Sequence, residues 1–320
     1  PQVFQEDGII SGYRHPRSSA LDCILSSFQM TNETVNIWTH FLPTWYFLWQ
    51  FCVLCSTLDF WSECYSWPLL VYMLLICLYP FTSSCAHTFS SMSAEARHVC
   101  YFFDYGALSL YSLGCAITYG AYVMPDCWIN SVFHHCFVPV AVLNTLVCTA
   151  LSCYSRFPEL EFPRWSKILR TAAFVYPFVF DNIPLFYRVS SGSPSPIMEC
   201  QMGQWVDSWE ARDTTLLSQT RLRRWDSPRE EVLCPVFFHP LQKHHCCVVC
   251  TAQPLCQETS MILMEAILAD MSSRRGWLAA HTPMPSFLGS VGAVSIGVVL
   301  NLAIIGLFSA TLLWTPSTAH

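Results

Sequence analysis

Six side chains in the first third of this chain have the types and spacings to do chemistry. In "TNETVNIWTH", Glu33, Asn36 and His40 follow one another at intervals of three and four, which places them on one face of a helix. In "SSCAHTF", Ser83 and His87 are four apart and share a face in the same way. Asp104 comes next, in "CYFFDYGALS", after the short link "SSMSAEARHV", so a helical hairpin returns it to the depth of His87. An imidazole beside a carboxylate and a hydroxyl suits three roles. It can ligate a metal, hold an oriented proton-transfer group, or be hydrogen-bonded at the edge of a membrane.

The elements that must position these residues follow from composition. The 320 residues are 53% hydrophobic, 15% aromatic and 12% charged, against about 25% charged in an ordinary soluble domain. So few charges cannot cover a globular surface, and the chain reads as a polytopic membrane protein. Its net charge of −6 gives no footing for nucleic acid. Of the 18 cysteines, Cys52, Cys55, Cys77, Cys115 and Cys148 lie inside apolar runs, where cysteine behaves as a small apolar residue rather than a disulfide partner. The chain opens on Pro1, without Met and without a cleavable leader pattern, as a fragment would.

A helix needs roughly 20 mostly apolar residues to cross a bilayer, and six segments qualify: 37–56, 67–89, 99–124, 128–153, 168–187 and 286–313. The prolines within them (Pro43, Pro80, Pro139, Pro177, Pro184) are tolerable in membrane helices. Gly289, Gly292, Gly297 and Gly306 in the last span would allow close helix packing or lie slack against lipid. Ionisable groups at membrane depth face the bundle interior by default and mark function, so Glu33, His40, His87 and Asp104 stand out again. The links 57–66 and 125–127 hold no Lys or Arg, whereas Arg14, Arg17, Arg97, Arg156, Arg164 and Lys167 flank the opposite ends. The positive-inside rule then puts the N-terminus in the cytoplasm, where the sequon Asn32-Glu33-Thr34 is out of reach of glycosylation.

The character changes at residue 189. The stretch 189–260 is polar and then rich in Cys and His, with no apolar run of spanning length, so no crossing is expected between 189 and 285. The chain divides accordingly into an N-terminal segment (1–36), five spans (37–188), an insert (189–263) and a C-terminal segment with the last span (264–320). Cys246, Cys247, Cys250, His244 and His245 could bind zinc on their own, but the second ligand pair of a closed structural site is missing.

Several stretches carry a resemblance: "GYRHPRSSALDCILSSFQMTNETVNIWTHFLPTWYFLW", "SSCAHTFSSMS", "CYFFDYGALSLYSLG", "LSCYSRF", "DNIPLFYR" and "MEAILADMSSRRGWLA". On these the chain resembles the progestin and adipoQ receptor family, in its membrane progestin receptor branch and most like the delta-type members. The resemblance implies an all-α, polytopic transmembrane bundle of the adiponectin-receptor/haemolysin-III kind, with seven core helices and one more at the C-terminus, against six clear spans here. It implies a steroid (progestin) receptor in the plasma membrane, with a steroid or lipid ligand and a G protein as signalling partner. It also implies a zinc site that includes His87, accompanied by Ser83 and Asp104, and matches Glu33, Asn36 and His40 to the family's E-x-x-N-x-x-x-H motif. The superfamily's alternative activity is zinc-dependent, ceramidase-like amide hydrolysis, in which Asp104 would be the base or water-positioning residue. One departure weakens both metal readings: the family's H-x-x-x-H pair is absent after residue 188. His239 and His244 are five apart, about 140° around a helix. A chain without that pair is expected to hold no stoichiometric zinc, and a non-functional variant isoform lacking the complete metal site is a further alternative.

Overall fold

The computed structural model describes residues 12–159, 161–191, 248–282 and 285–314, without the side chains of 189, 248–262 and 266. Its regular structure is helical: α1 (Ala20–Ser26), α2 (Thr34–Thr57), α3 (Trp67–Phe89), α4 (Ala94–Thr118), α5 (Val132–Tyr154), α6 (Pro163–Asp181), α7 (Ile183–Ser190), α8 (Val248–His281) and α9 (Ala293–Trp314). Local chemistry sets many of the starts. The Ser93 hydroxyl accepts from the Ala96 amide at 3.0 Å, and the Ser131 hydroxyl accepts from that of His134 at 3.2 Å. Proline occupies the first turn of α3 and α6, where its missing N–H removes no helical bond. Ser19 and Asp22 close a capping box on α1.

The six expected spans appear within a few residues of their expected bounds. On length and composition alone, three described helical segments can cross a membrane: Cys64–Phe89, Val132–Tyr154 and Leu288–Trp314. The fifth span is divided at Asn182 into α6 and α7. One end of the bundle, here the proximal end, carries α1 and the links after α3 and α5. The distal end carries the links after α2 and α4.

Helix α8 lies in the stretch where no apolar run of spanning length was expected, and it is not among the described helices apolar enough to cross a membrane. It has 34 residues, about 51 Å at 1.5 Å per residue, and it runs through the 263/264 boundary drawn from sequence. Its charges hid it from a search for apolar runs, yet they are paired. Asp270 is fully buried, and its Oδ2 accepts from Arg188 Nη1 at 2.6 Å. Arg274 donates to the carbonyls of Tyr122 at 2.6 Å and Met124 at 3.1 Å and pairs with Asp126. Arg275 pairs with Glu63. The Tyr65 hydroxyl donates to the Met271 carbonyl at 3.0 Å. These bonds tie the second half of α8 to α7 and to the distal links.

The core is built from α2, α3, α4, α5 and α8, with Phe47, Leu69, Tyr72, Ile76, Leu113, Phe137, Met264 and Ile267 buried. Helix α4 lies between α3, α5, α6 and α9. Of the four glycines in the last span, Gly297 makes the close approach: a Cβ there would stand 2.8 Å from Leu113 Cδ2, whereas Gly306 has open space. On α4, a Cβ at Gly106 would stand 2.7 Å from Ile305 Cδ1. Beside this contact the Thr149 hydroxyl donates to Asn301 Oδ1, and Asn301 Nδ2 donates to the Gly297 carbonyl at 2.8 Å. Among the described cysteines there is no disulfide, and Cys77, Cys115 and Cys148 are buried in the bundle.

Candidate functional site at the proximal end of the bundle

The sequence-selected residues converge at the proximal end. Glu33 is the N-cap residue of α2, but its side chain makes no cap bond. It turns inward, 4% exposed. Oε2 lies 2.8 Å from His87 Nδ1 and accepts from Asn36 Nδ2 at 3.1 Å. An ionised carboxylate can only accept, so His87 donates from Nδ1 and Nε2 becomes the ring's other functional atom. His40, one turn beyond Asn36 and buried, sets its ring 5.9 Å from that of His87, edge to face. Ser83 lies below His87 on α3, within hydrogen-bonding reach of Asp104 on α4. All six residues thus occupy one site. The contact that sequence reasoning missed is the Glu33–His87 pair, which joins two motifs 54 residues apart.

Two further groups support it. Arg14 donates to the His87 and Thr88 carbonyls at 2.5 Å each and to Ser90 Oγ at 2.9 Å. It thereby satisfies carbonyls that the end of α3 leaves without helical partners. On the other side of His87, Tyr101 stands 5.6 Å away, ring to ring. The guanidiniums of Arg97 and Arg156 lie 5.2 and 4.6 Å from the Tyr101 ring centroid, and that of Arg170 lies 5.3 Å from the Tyr105 ring. Glu159, in the link after α5, takes Arg156 at 2.5 Å and Arg170 at 3.1 Å. Burial pushes its carboxyl up, but the two arginines outweigh this and hold it below the usual carboxylate range. Arg97, Tyr101 and Tyr105 recur every four residues on the face of α4 that carries Asp104, a signal present in the sequence, whereas Arg14, Arg156 and Arg170 reach the site from segments remote in the chain.

The Glu33–His87 pair is the orienting half of a metal arrangement, a carboxylate fixing one nitrogen of an imidazole. Among the described residues no group of three or more His, Cys, Asp or Glu side chains could hold a metal ion, so they do not by themselves fit a zinc ion. His239, His244, His245, Cys246 and Cys247, raised from sequence, lie outside the described residues, and Cys250 is described in its backbone alone.

The family model described as "Haemolysin-III related" matches residues 28–205. Membrane progestin receptor delta from Homo sapiens is 52% identical over 328 residues, covering 99% of this chain and 90% of the relative. The Mus musculus protein of that name is 52% identical over 325 residues, with the same shares. Membrane progestin receptor gamma-B from Danio rerio is 47% identical over 338 residues, covering 99% of this chain and 93% of the relative. With α2 to α7 inside the matched region, and a buried polar site closing one end of a helical membrane bundle, the chain belongs to the haemolysin-III-related family, in its membrane progestin receptor branch.

Proposed function

We propose that this chain is a membrane receptor for a steroid of the progestin class. The observation that carries the reading is the 52% identity, over 99% of the chain, to relatives named as membrane progestin receptors. The interior supports it: a bundle lined by aromatics, such as Tyr79 and Tyr111 with ring centroids 4.6 Å apart, with a few polar groups at one end, suits a rigid apolar ligand that needs orienting. The polar end is the Glu33–His87–Asp104 site. The orientation that puts the proximal end in the cytoplasm rests on Arg14, Arg17, Arg97, Arg156, Arg164 and Lys167, and the plasma-membrane location rests on the family resemblance. A G protein as signalling partner, and a lipid in place of the steroid, rest on the family resemblance alone.

Equilibrium binding of a radiolabelled progestin to membranes carrying this chain tests the reading. Saturable binding that unlabelled progestin displaces and that chelator leaves intact is expected. His87→Ala should weaken binding only as far as the site repacks. No saturable binding to correctly inserted chain would overturn the receptor reading. Reversible loss of binding on chelation would replace it with a metal-organised site.

A further inference from the structure

Helix α1 has three chemically distinct faces. At about 100° per residue, Cys23 and Ser27 share the face turned to the bundle, and both are buried. Asp22 and Ser26 share a polar face. Leu21, Ile24, Leu25 and, one turn on, Phe28 form a third, apolar stripe. Nothing in the described protein covers that stripe: these four residues are 64%, 45%, 53% and 71% exposed.

The helix is nevertheless held firmly. Ser18 N donates to the Ser91 carbonyl at 3.3 Å, and Cys23 Sγ lies 3.3 Å from Ser91 Oγ. Arg14, just upstream, grips the end of α3. Trp38 Nε1 donates to the Ser27 carbonyl at 2.8 Å. The stripe is therefore presented in a fixed direction.

That direction is set by a ladder of rings. Phe28 meets Trp38 at 5.4 Å, Trp38 meets Phe41 at 5.5 Å, and Phe41 meets Trp45 at 6.0 Å. Leu42, Trp45 and Trp49, each 59% exposed, belong to the outer, apolar face of α2, which in a membrane protein faces acyl chains. The α1 stripe thus continues the lipid-facing surface of α2 around the rim of the bundle, while its polar face turns away. A short helix with this division lies in the plane of the interface, apolar side toward the acyl chains. A tryptophan at the junction with its N–H satisfied is the usual residue there.

We propose that α1 is an interfacial anchor: Leu21, Ile24, Leu25 and Phe28 seat in the headgroup–acyl boundary of the leaflet at the proximal end, and the occupant of this surface is the bilayer itself. Because Arg14 connects the same segment to the last carbonyls of α3, and Ser18 connects it to the link just beyond, the anchor fixes the backbone at His87 relative to the membrane surface.

The test is photolabelling of the full chain in phosphatidylcholine nanodiscs that contain a phosphatidylcholine bearing a diazirine near its glycerol end. Adducts are mapped by peptide mass spectrometry. Residues 20–30 should carry adducts at a level comparable with residues 41–49 of α2. In Leu21→Asp/Leu25→Asp the yield at 20–30 should fall roughly ten-fold or more, since each leucine burial is worth about 1.5–3 kcal/mol, with 41–49 unchanged. Unlabelled 20–30 beside a labelled 41–49 in the unsubstituted chain overturns the proposal. So does crosslinking of 20–30 to a second copy or to another protein in place of lipid.

Discussion

Removal of the Asp270 carboxylate should be among the most damaging single changes in the chain. Asp270 is fully buried, its partner Arg188 is 8% exposed, and their atoms approach to 2.6 Å. Asp270→Ala leaves a guanidinium out of water with no counter-charge, which costs about 3–5 kcal/mol. The Arg275–Glu63 pair supplies an internal control. Its side chains are 51% and 36% exposed, so Glu63→Ala should cost under about 1 kcal/mol. Arg188→Met/Asp270→Leu, which removes both charges and keeps the volume, should return to near the parent stability. Reversible unfolding in mixed micelles, followed by far-UV circular dichroism, measures all three. Equal small losses for Asp270→Ala and Glu63→Ala would mean that α8 is not docked by this pair. A double variant as weak as Asp270→Ala would mean that the orphaned guanidinium is not the cause of the loss, and that the intact pair itself stabilises the bundle.

Gly297→Ala should cost about 1–3 kcal/mol, because its Cβ meets Leu113, which is itself fully buried; Leu113→Ala in the same chain should recover part of the loss in the unfolding assay. Arg14→Ala removes three hydrogen bonds from the end of α3, and amide exchange at Thr88 and Phe89 should accelerate about ten-fold or more, while exchange in mid-α3 stays as it was. Glu159 has a folded pKa below its unfolded value of about 4.3. Its stabilisation is therefore complete above that value and lost as pH falls through the folded one. Unfolding midpoints between pH 6 and pH 3 should fall more steeply for the parent than for Glu159→Gln, and the reverse order would refute the assignment. Metal analysis of the purified chain should find less than stoichiometric zinc; about one tightly held zinc, lost on His87→Ala, would mean that residues outside the described ones complete the site.

The spans were legible because hydrocarbon imposes a length and a composition on each helix separately: α3 occupies the very run expected, Trp67–Phe89. The site was legible in part for the same reason, since Glu33, His87 and Asp104 are costly at membrane depth and so draw notice. What could not be read was the pairing between segments. Asn36 and His40 share a face by spacing, but that Glu33 leaves its cap position to reach His87 is a tertiary fact. Helix α8 escaped for a related reason. Asp270, Arg274 and Arg275 interrupt any apolar run, and only their partners on α7 and the distal links make them compatible with the bundle.

The last helix changes which side chains α4 and α5 can carry. Gly106 and Gly297 bring α9 so near to α4 that no acyl chain fits between them, and Asn301 takes the Thr149 hydroxyl across the groove. A seam that would otherwise be wetted by lipid becomes interior, so Thr145, Thr149 and Ser152 on α5 are buried without meeting hydrocarbon. The outer surface of α9 becomes the lipid-facing wall instead, with Val299, Leu302 and Leu307 turned outward. A chain ending before Leu288 would turn this polar seam out to the acyl chains, and the seam would become an adhesive edge seeking another helix.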